Sequence, residues 1–203
     1  MKPRAAIFDL GGVIIRVRVE GMFEYWSQVT GRDAADLAAA VLADGRYRDF
    51  ERGELTADEF HRHLTGAMGV DMDFEQFRFG WCNVFEGLYD GIERLLDDLA
   101  SHMRLAALTN TNELHTVEWK RLYADALSRF EAMFISHELG ARKPEPESYH
   151  VVLQHLGESP ENVVFVDDRT ENVTAAVRLG MRGILVDDPA DIRESFRQLG
   201  VEV

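Results

Sequence analysis

The chain has 203 residues, 46% hydrophobic and 29% charged, which fits one globular unit, or one carrying an insertion, and argues against disorder. Its 22 Lys and Arg against 36 Asp and Glu leave a net charge of −14, so nucleic acid and a basic membrane-surface helix are poor partners. The single cysteine, Cys82, permits neither an internal disulfide nor a CxxC zinc site, and with Asp9 breaking the first apolar run and no stretch near the ~20 apolar residues of a membrane span, a soluble, cytoplasmic monomer is expected.

Residues 5–8 form a short apolar run of strand length. Residues 17–85 then carry helical patterns and no good strand. Thr56 and Glu59 make a capping box ahead of Phe60 and Leu64. Phe74, Phe77 and Trp81 recur at helical spacing. From about residue 86 onward, strand-like and helix-like runs alternate. Strands are predicted at 105–109, 133–136, 163–166 and 183–186, and a helix over 91–102 from Ile92, Leu95, Leu96 and Leu99. Ser159-Pro160 and Asp188-Pro189 read as helix starts. The fold class expected is α/β, a doubly wound, Rossmann-like parallel sheet with a small helical cap inserted after the first strand. The α/β core would be residues 1–16 and 86–203, and the cap 17–85.

Four short motifs end predicted strands. The first is Phe8-Asp9-Leu10-Gly11-Gly12-Val13. Alone it reads as a turn capped by Asp9. At the carboxyl end of a parallel strand it is also a carboxylate where ligands bind, with glycines that admit a close approach. Neither GxGxxG nor GxxxxGK[ST] is present. The second, Thr109-Asn110-Thr111-Asn112, suits both a helix N-cap and an anion cradle. In the third, Arg142-Lys143-Pro144-Glu145-Pro146, a loop lysine is ordinarily just solvated, but two prolines restrict this one, and its ammonium suits a phosphate oxygen. In the fourth, Asp167 and Asp168 follow a fully apolar strand. Adjacent like charges need a compensating cation, and Mg²⁺ takes such oxygens. Together the motifs gather Asp, Thr/Asn, Lys and Asp-Asp on one sheet edge, which is the equipment of a phosphoryl-transfer site.

The order FDLGGV, LTN, KP, VDD resembles the haloacid dehalogenase-like hydrolase superfamily over essentially the whole chain. The stretches FERGELTADEF, GWCNVFEGL, LTNTNELHTVEW and LGARKPEPESYHVVLQHLG resemble its sugar-phosphate phosphatase subgroup, whose substrate type is glucose-1-phosphate. The resemblance implies that Asp9 attacks phosphorus and forms an aspartyl-phosphate. It implies that Thr109 and Asn110 bind phosphoryl oxygens and that Lys143 neutralises charge. It implies that Asp168 holds Mg²⁺ together with Asp9 and the Gly11 carbonyl, with Asp167 and Asn172 in support. The partner would be a small phosphate ester.

One position departs from most phosphatases of the superfamily. Gly11 stands where a second aspartate serves as general acid and base, a group ordinarily worth about 10²–10⁴-fold. The subgroup resembles this chain in lacking it. A phosphate on an anomeric oxygen needs less help to leave, so a sugar-1-phosphate is the expected substrate. The competing expectations are a non-catalytic phosphate-metabolite sensor and a metal-free dehalogenase. Arg16 and Arg18 are expected at the surface. His115 and Trp119 are read as packing residues, with a sugar contact open to His115.

Overall fold

The computed structural model describes residues 2–203. Strand β1 (Ala5–Phe8) is buried at every position. The chain then turns through two glycines into β2 (Ile15–Val17). Five helices follow: α1 (Glu20–Thr30), α2 (Ala34–Ala43), α3 (Tyr47–Glu51), α4 (Ala57–Met68) and α5 (Phe74–Cys82). Strand β3 (Phe85–Leu88) returns antiparallel to β2, with a register shift between Arg16 and Val17. The ribbon β2–β3 thus straddles the expected joints at 16/17 and 85/86.

Beyond it the chain alternates. Helix α6 (Ile92–Ala100) precedes β4 (Arg104–Thr109), and α7 (Glu113–Leu122) and α8 (Ala124–Leu127) precede β5 (Ala132–Ile135). Helices α9 (Ser136–Leu139) and α10 (Pro146–Leu156) precede β6 (Val163–Asp167). Helix α11 (Thr170–Arg178), β7 (Arg182–Leu185) and α12 (Ile192–Gln198) complete the chain. The sheet order is β5-β4-β1-β6-β7 and every pairing in it is parallel. The expected helix start at Ser159-Pro160 opens only one 3-10 turn, Pro160–Asn162, because the chain enters β6 directly behind it. At Asp188 the side chain caps a 3-10 turn, Pro189–Asp191, that leads into α12.

Alternation along the strands explains the double winding. Ala6 and Phe8 of β1 face a cluster with Leu96, Leu99, Trp119 and Phe196. Ala5 and Ile7 face the other side, with Tyr149, Val152 and Leu156 of α10. Helices α1–α5 bury a separate cluster built on Trp26, Phe50, Phe60, Phe77 and Trp81. The Thr56–Glu59 capping box is formed in full, and Asp73–Gln76 forms a second one at α5.

This topology fixes where a ligand can sit. The connection from β1 runs to β4 on one side, and that from β6 runs to β7 on the other. Neighbouring strands whose connections diverge leave a crevice at their carboxyl ends. Asp9 follows β1 and Asp167 ends β6, so both carboxylates stand at that crevice.

Candidate active site

Asp9 is held by the sheet itself, its N–H donating to the Val166 carbonyl at 2.9 Å. Its Oδ1 accepts from the Leu10 N–H at 2.7 Å and lies 2.9 Å from Lys143 Nζ. Oδ2 is therefore the oxygen with capacity to spare. Burial pushes the Asp9 carboxyl up to about 6, against the opposing pull of Lys143 and with a further push from Asp167.

Lys143 is buried although it sits in a loop, at 1% exposure. Its ammonium lies 2.7 Å from Asp167 Oδ2 as well as against Asp9. Burial opposes its charge, but the two carboxylates outweigh burial and hold it above its ordinary value. The two carboxylates therefore favour its charged form. The Asn110 amide fixes its backbone twice over, accepting from Lys143 N–H at 2.8 Å and donating to Lys143 O at 2.9 Å.

Asp167 is fully buried and fully engaged. Besides Lys143 it accepts from the Arg169 N–H at 2.9 Å and from Asn172 Nδ2 at 3.0 and 3.1 Å. Asp168, the next residue, is exposed. Burial and the Asp167 charge raise its carboxyl. Ligand oxygens of Asp9, Asp167 and Asp168 all lie within 4.8 Å of one another. Three carboxylates face one ammonium, so a second cation is electrostatically called for. An all-oxygen donor set is the kind Mg²⁺ takes. The Asp168 carboxylate rests over Gly12, whose φ is +78°. Gly11 has no such constraint, since a Cβ there would meet only Val17 Cγ2 at 3.5 Å.

Thr109 is buried at the end of β4, one residue before Asn110. The structure thus brings Asp9, Lys143, Asp167, Asp168 and Asn172 into one cluster and places Thr109 and Asn110 beside it. Other residues go elsewhere. Arg16 lies over the Tyr89 ring and near Asp90, and Arg18 bridges Glu24 and Glu86, both at the surface of the ribbon. Trp119 packs in the sheet core. His115 stacks on Trp81 with ring centroids 5.3 Å apart and donates from Nε2 to the Trp81 carbonyl at 2.8 Å. The carbonyl can only accept, so Nδ1 is unprotonated and lies 3.3 Å from Asn112 Nδ2. Asn112 Oδ1 accepts in turn from Trp81 Nε1 at 3.2 Å. His115 thus ties α7 to α5. Glu51 and Arg142 lie in stretches quoted above but were given no role, and they pair inside the molecule across 91 positions. Neither residue type nor local spacing signals such a pair.

A family model described as haloacid dehalogenase-like hydrolase matches residues 3–180. The chain belongs to this family. Flavin mononucleotide hydrolase 1 of Arabidopsis thaliana is 31% identical over 156 residues, which are 76% of this chain and 62% of that protein. The chain therefore spans under two thirds of that relative's length. D-ribitol-5-phosphate phosphatase of Bacteroides thetaiotaomicron is 26% identical over 94% of this chain and 95% of its own. A haloacid dehalogenase family enzyme of the same bacterium, crystallised with magnesium and inorganic phosphate, superposes with a TM-score of 0.79 at 25% identity, covering 90% of this chain and 93% of its own. This hydrolase thus stands among relatives that act on phosphate esters.

Proposed function

We propose that this hydrolase is a Mg²⁺-dependent phosphatase of a small sugar phosphate, with a phosphate on an anomeric oxygen, as in glucose-1-phosphate, as its preferred ester. The observation that carries the reading is the buried Lys143 ammonium set between Asp9 and Asp167, with Asp168 completing the carboxylate cluster. A metal-free dehalogenase has no use for that surplus of negative charge.

Asp9 Oδ2 attacks phosphorus in line, and the bond from phosphorus to the ester oxygen breaks. The leaving oxygen takes its proton from water, because Gly11 supplies no acid. Water then attacks the aspartyl-phosphate and returns Asp9 and inorganic phosphate. Lys143 stays protonated throughout and balances charge on the transferring group. Thr109 offers its hydroxyl to the phosphoryl oxygens. The Asn110 amide is engaged with Lys143, so Asn110 serves mainly by fixing that loop. Asp9, Asp168 and the Gly11 carbonyl would hold Mg²⁺, which when bound supplies electrostatic stabilisation of the phosphoryl charge. Asp167, spent on Lys143 and Asn172, supports them. Residues 17–85 act as a cap that selects the ester, over the core formed by 1–16 and 86–203.

The test is phosphate release from a panel of sugar phosphates with Mg²⁺, comparing the native chain with Asp9→Asn. Release from sugar-1-phosphates that vanishes in the variant and without metal is expected. Faster release from 6-phosphates overturns the substrate reading, and no release from any ester turns the protein into a binding module.

A further inference from the structure

Helix α3 ends at Glu51 and is capped by the next residue, Arg52, of opposite charge. The loop that carries Lys143 presents the complementary order, Arg142 and then Glu145. The two sets meet. Arg142 places Nε and one terminal nitrogen 2.9 Å from Glu51 Oε2, and the Glu51 side chain is only 5% exposed. Arg52 pairs with Glu145 beside it. Burial, and after it the Glu51 charge, raise the hydroxyl of Tyr47, one helical turn earlier.

The loop is itself a closed turn. Glu145 N–H donates to Arg142 O at 2.8 Å, and Arg142 N–H donates to a Glu145 carboxylate oxygen at 3.1 Å. Lys143 is one of the two residues inside that turn. Its backbone is gripped from the sheet side by Asn110, and the flanks of its turn are gripped from α3. The approach is close in the backbone as well. At Gly53, with φ of +72°, a Cβ would stand 2.4 Å from the His137 carbonyl of α9, so no side chain fits between α3 and α9. A charge order matched this way admits one docking register and repels its reverse.

We propose that Glu51 and Arg52 are positioning residues for Lys143, so that the seating of α3 on the 142–145 turn sets where the ammonium stands. The inference rests on the reading of Lys143 as a working residue of the phosphatase site, and it deepens that reading. A displacement of about 1 Å at a charge-balancing group is worth up to about 10²-fold in turnover. The prediction is therefore a fall in kcat for every ester, whatever its leaving group, with KM little changed.

The experiment is a double-mutant cycle on the full chain with Mg²⁺, using para-nitrophenyl phosphate, whose good leaving group keeps slow variants measurable. Arg52→Gln and Glu51→Gln are each combined with Lys143→Ala. Each single variant is expected to lower kcat about 10-fold or more with KM within about twofold, and neither is expected to lower kcat further once Lys143 is gone. The swapped pair Arg52→Glu/Glu145→Arg should recover most of the loss. An unchanged kcat, a change confined to KM, or the same factor of loss with and without Lys143 overturns the proposal. Thermal melting screens each variant for folding. Arg52, in the more exposed bridge, decides the question if Glu51→Gln does not fold. A Lys143→Ala enzyme with undiminished kcat overturns the site reading itself, an outcome distinct from additivity.

Discussion

The Asp168 carboxylate packs so closely over Gly12 that a Cβ on Gly12 would stand 2.5 Å from Asp168 Oδ2. The glycine is therefore part of how the carboxylate cluster is shaped. Gly12→Ala adds the strain of a side chain at φ +78°, about 1–2 kcal/mol, and it forces Asp168 to swing away. A modest loss of stability with a larger loss of Mg²⁺ affinity is expected. Calorimetric titration with Mg²⁺ beside a thermal melt checks it. Unchanged Mg²⁺ affinity would remove Asp168 from the metal site.

Metal binding should also be visible as stability. A cation that binds only the folded chain stabilises it by about 2.7 kcal/mol at a hundredfold excess over Kd, and so raises the melting temperature. Mg²⁺ should thus stabilise the native chain and do little for Asp168→Asn. An equal shift in both would point to a site elsewhere.

Without metal, Asp9 makes stability depend on pH. Its folded value, about 6, lies above the 3.8 of the unfolded carboxyl. The stabilisation it contributes is complete below 3.8 and is lost as pH rises through 6. The span of about two units corresponds to about 3 kcal/mol. Asp9→Asn should remove this slope, so that in chelator it gains on the native chain between pH 5 and pH 7.5. Parallel melting curves for the two proteins across that range would contradict it.

The strands of the parallel sheet were legible because most are short, nearly continuous apolar runs, the mark of strands in a sheet covered on both faces. β1 and the Thr56 capping box needed nothing beyond local chemistry. The ribbon β2–β3 was not legible: three residues against four, with Gly87 and a register shift, carry no period. In the site, the residue types and their order along the chain could be read; Asp9, Thr109 and Asp167 stand at strand ends, whereas Lys143 lies in the turn between α9 and α10. The burial of Lys143 could not, because it depends on two carboxylates from β1 and β6 converging on it from distant positions. The same holds for Trp81, Asn112 and His115, whose network exists only once α5 meets α7.

That network predicts an acid-sensitive joint. Burial pushes the His115 imidazole down to about 4, below the 6.5 of an unfolded chain. Its contribution to stability is whole above pH 6.5 and is lost as pH falls toward 4, because the unfolded chain takes up a proton that the folded one refuses. At pH 5 this is about 2 kcal/mol, opposite in sign to the Asp9 effect. His115→Asn should lower the melting temperature at pH 7.5 and flatten the acid limb. A variant that melts like the native chain at both pH values would show that the joint carries no strength.

Gly11→Asp tests whether this site works without a general acid at that position. Gly12 beside it cannot carry a side chain without displacing Asp168, whereas a Cβ on Gly11 meets only Val17 Cγ2 at an ordinary 3.5 Å. The backbone at Gly11 also lies outside the left-handed region that glycine alone favours. Its glycine is therefore a chemical choice and not a steric one. Gly11→Asp should fold and should place a carboxyl two residues beyond the nucleophile. If the native enzyme relies on leaving groups that need no proton, the added acid should help poor leaving groups most. Turnover of a sugar-6-phosphate is expected to rise about 10- to 100-fold, within the range a positioned acid supplies. Turnover of glucose-1-phosphate and para-nitrophenyl phosphate should change little. The slope of log kcat against leaving-group pKa, measured across a series of aryl and alkyl phosphates, reports this directly. It should be steep for Gly11 and shallow for the aspartate variant. Equal slopes would mean that protonation of the leaving oxygen already comes from another group in the native site.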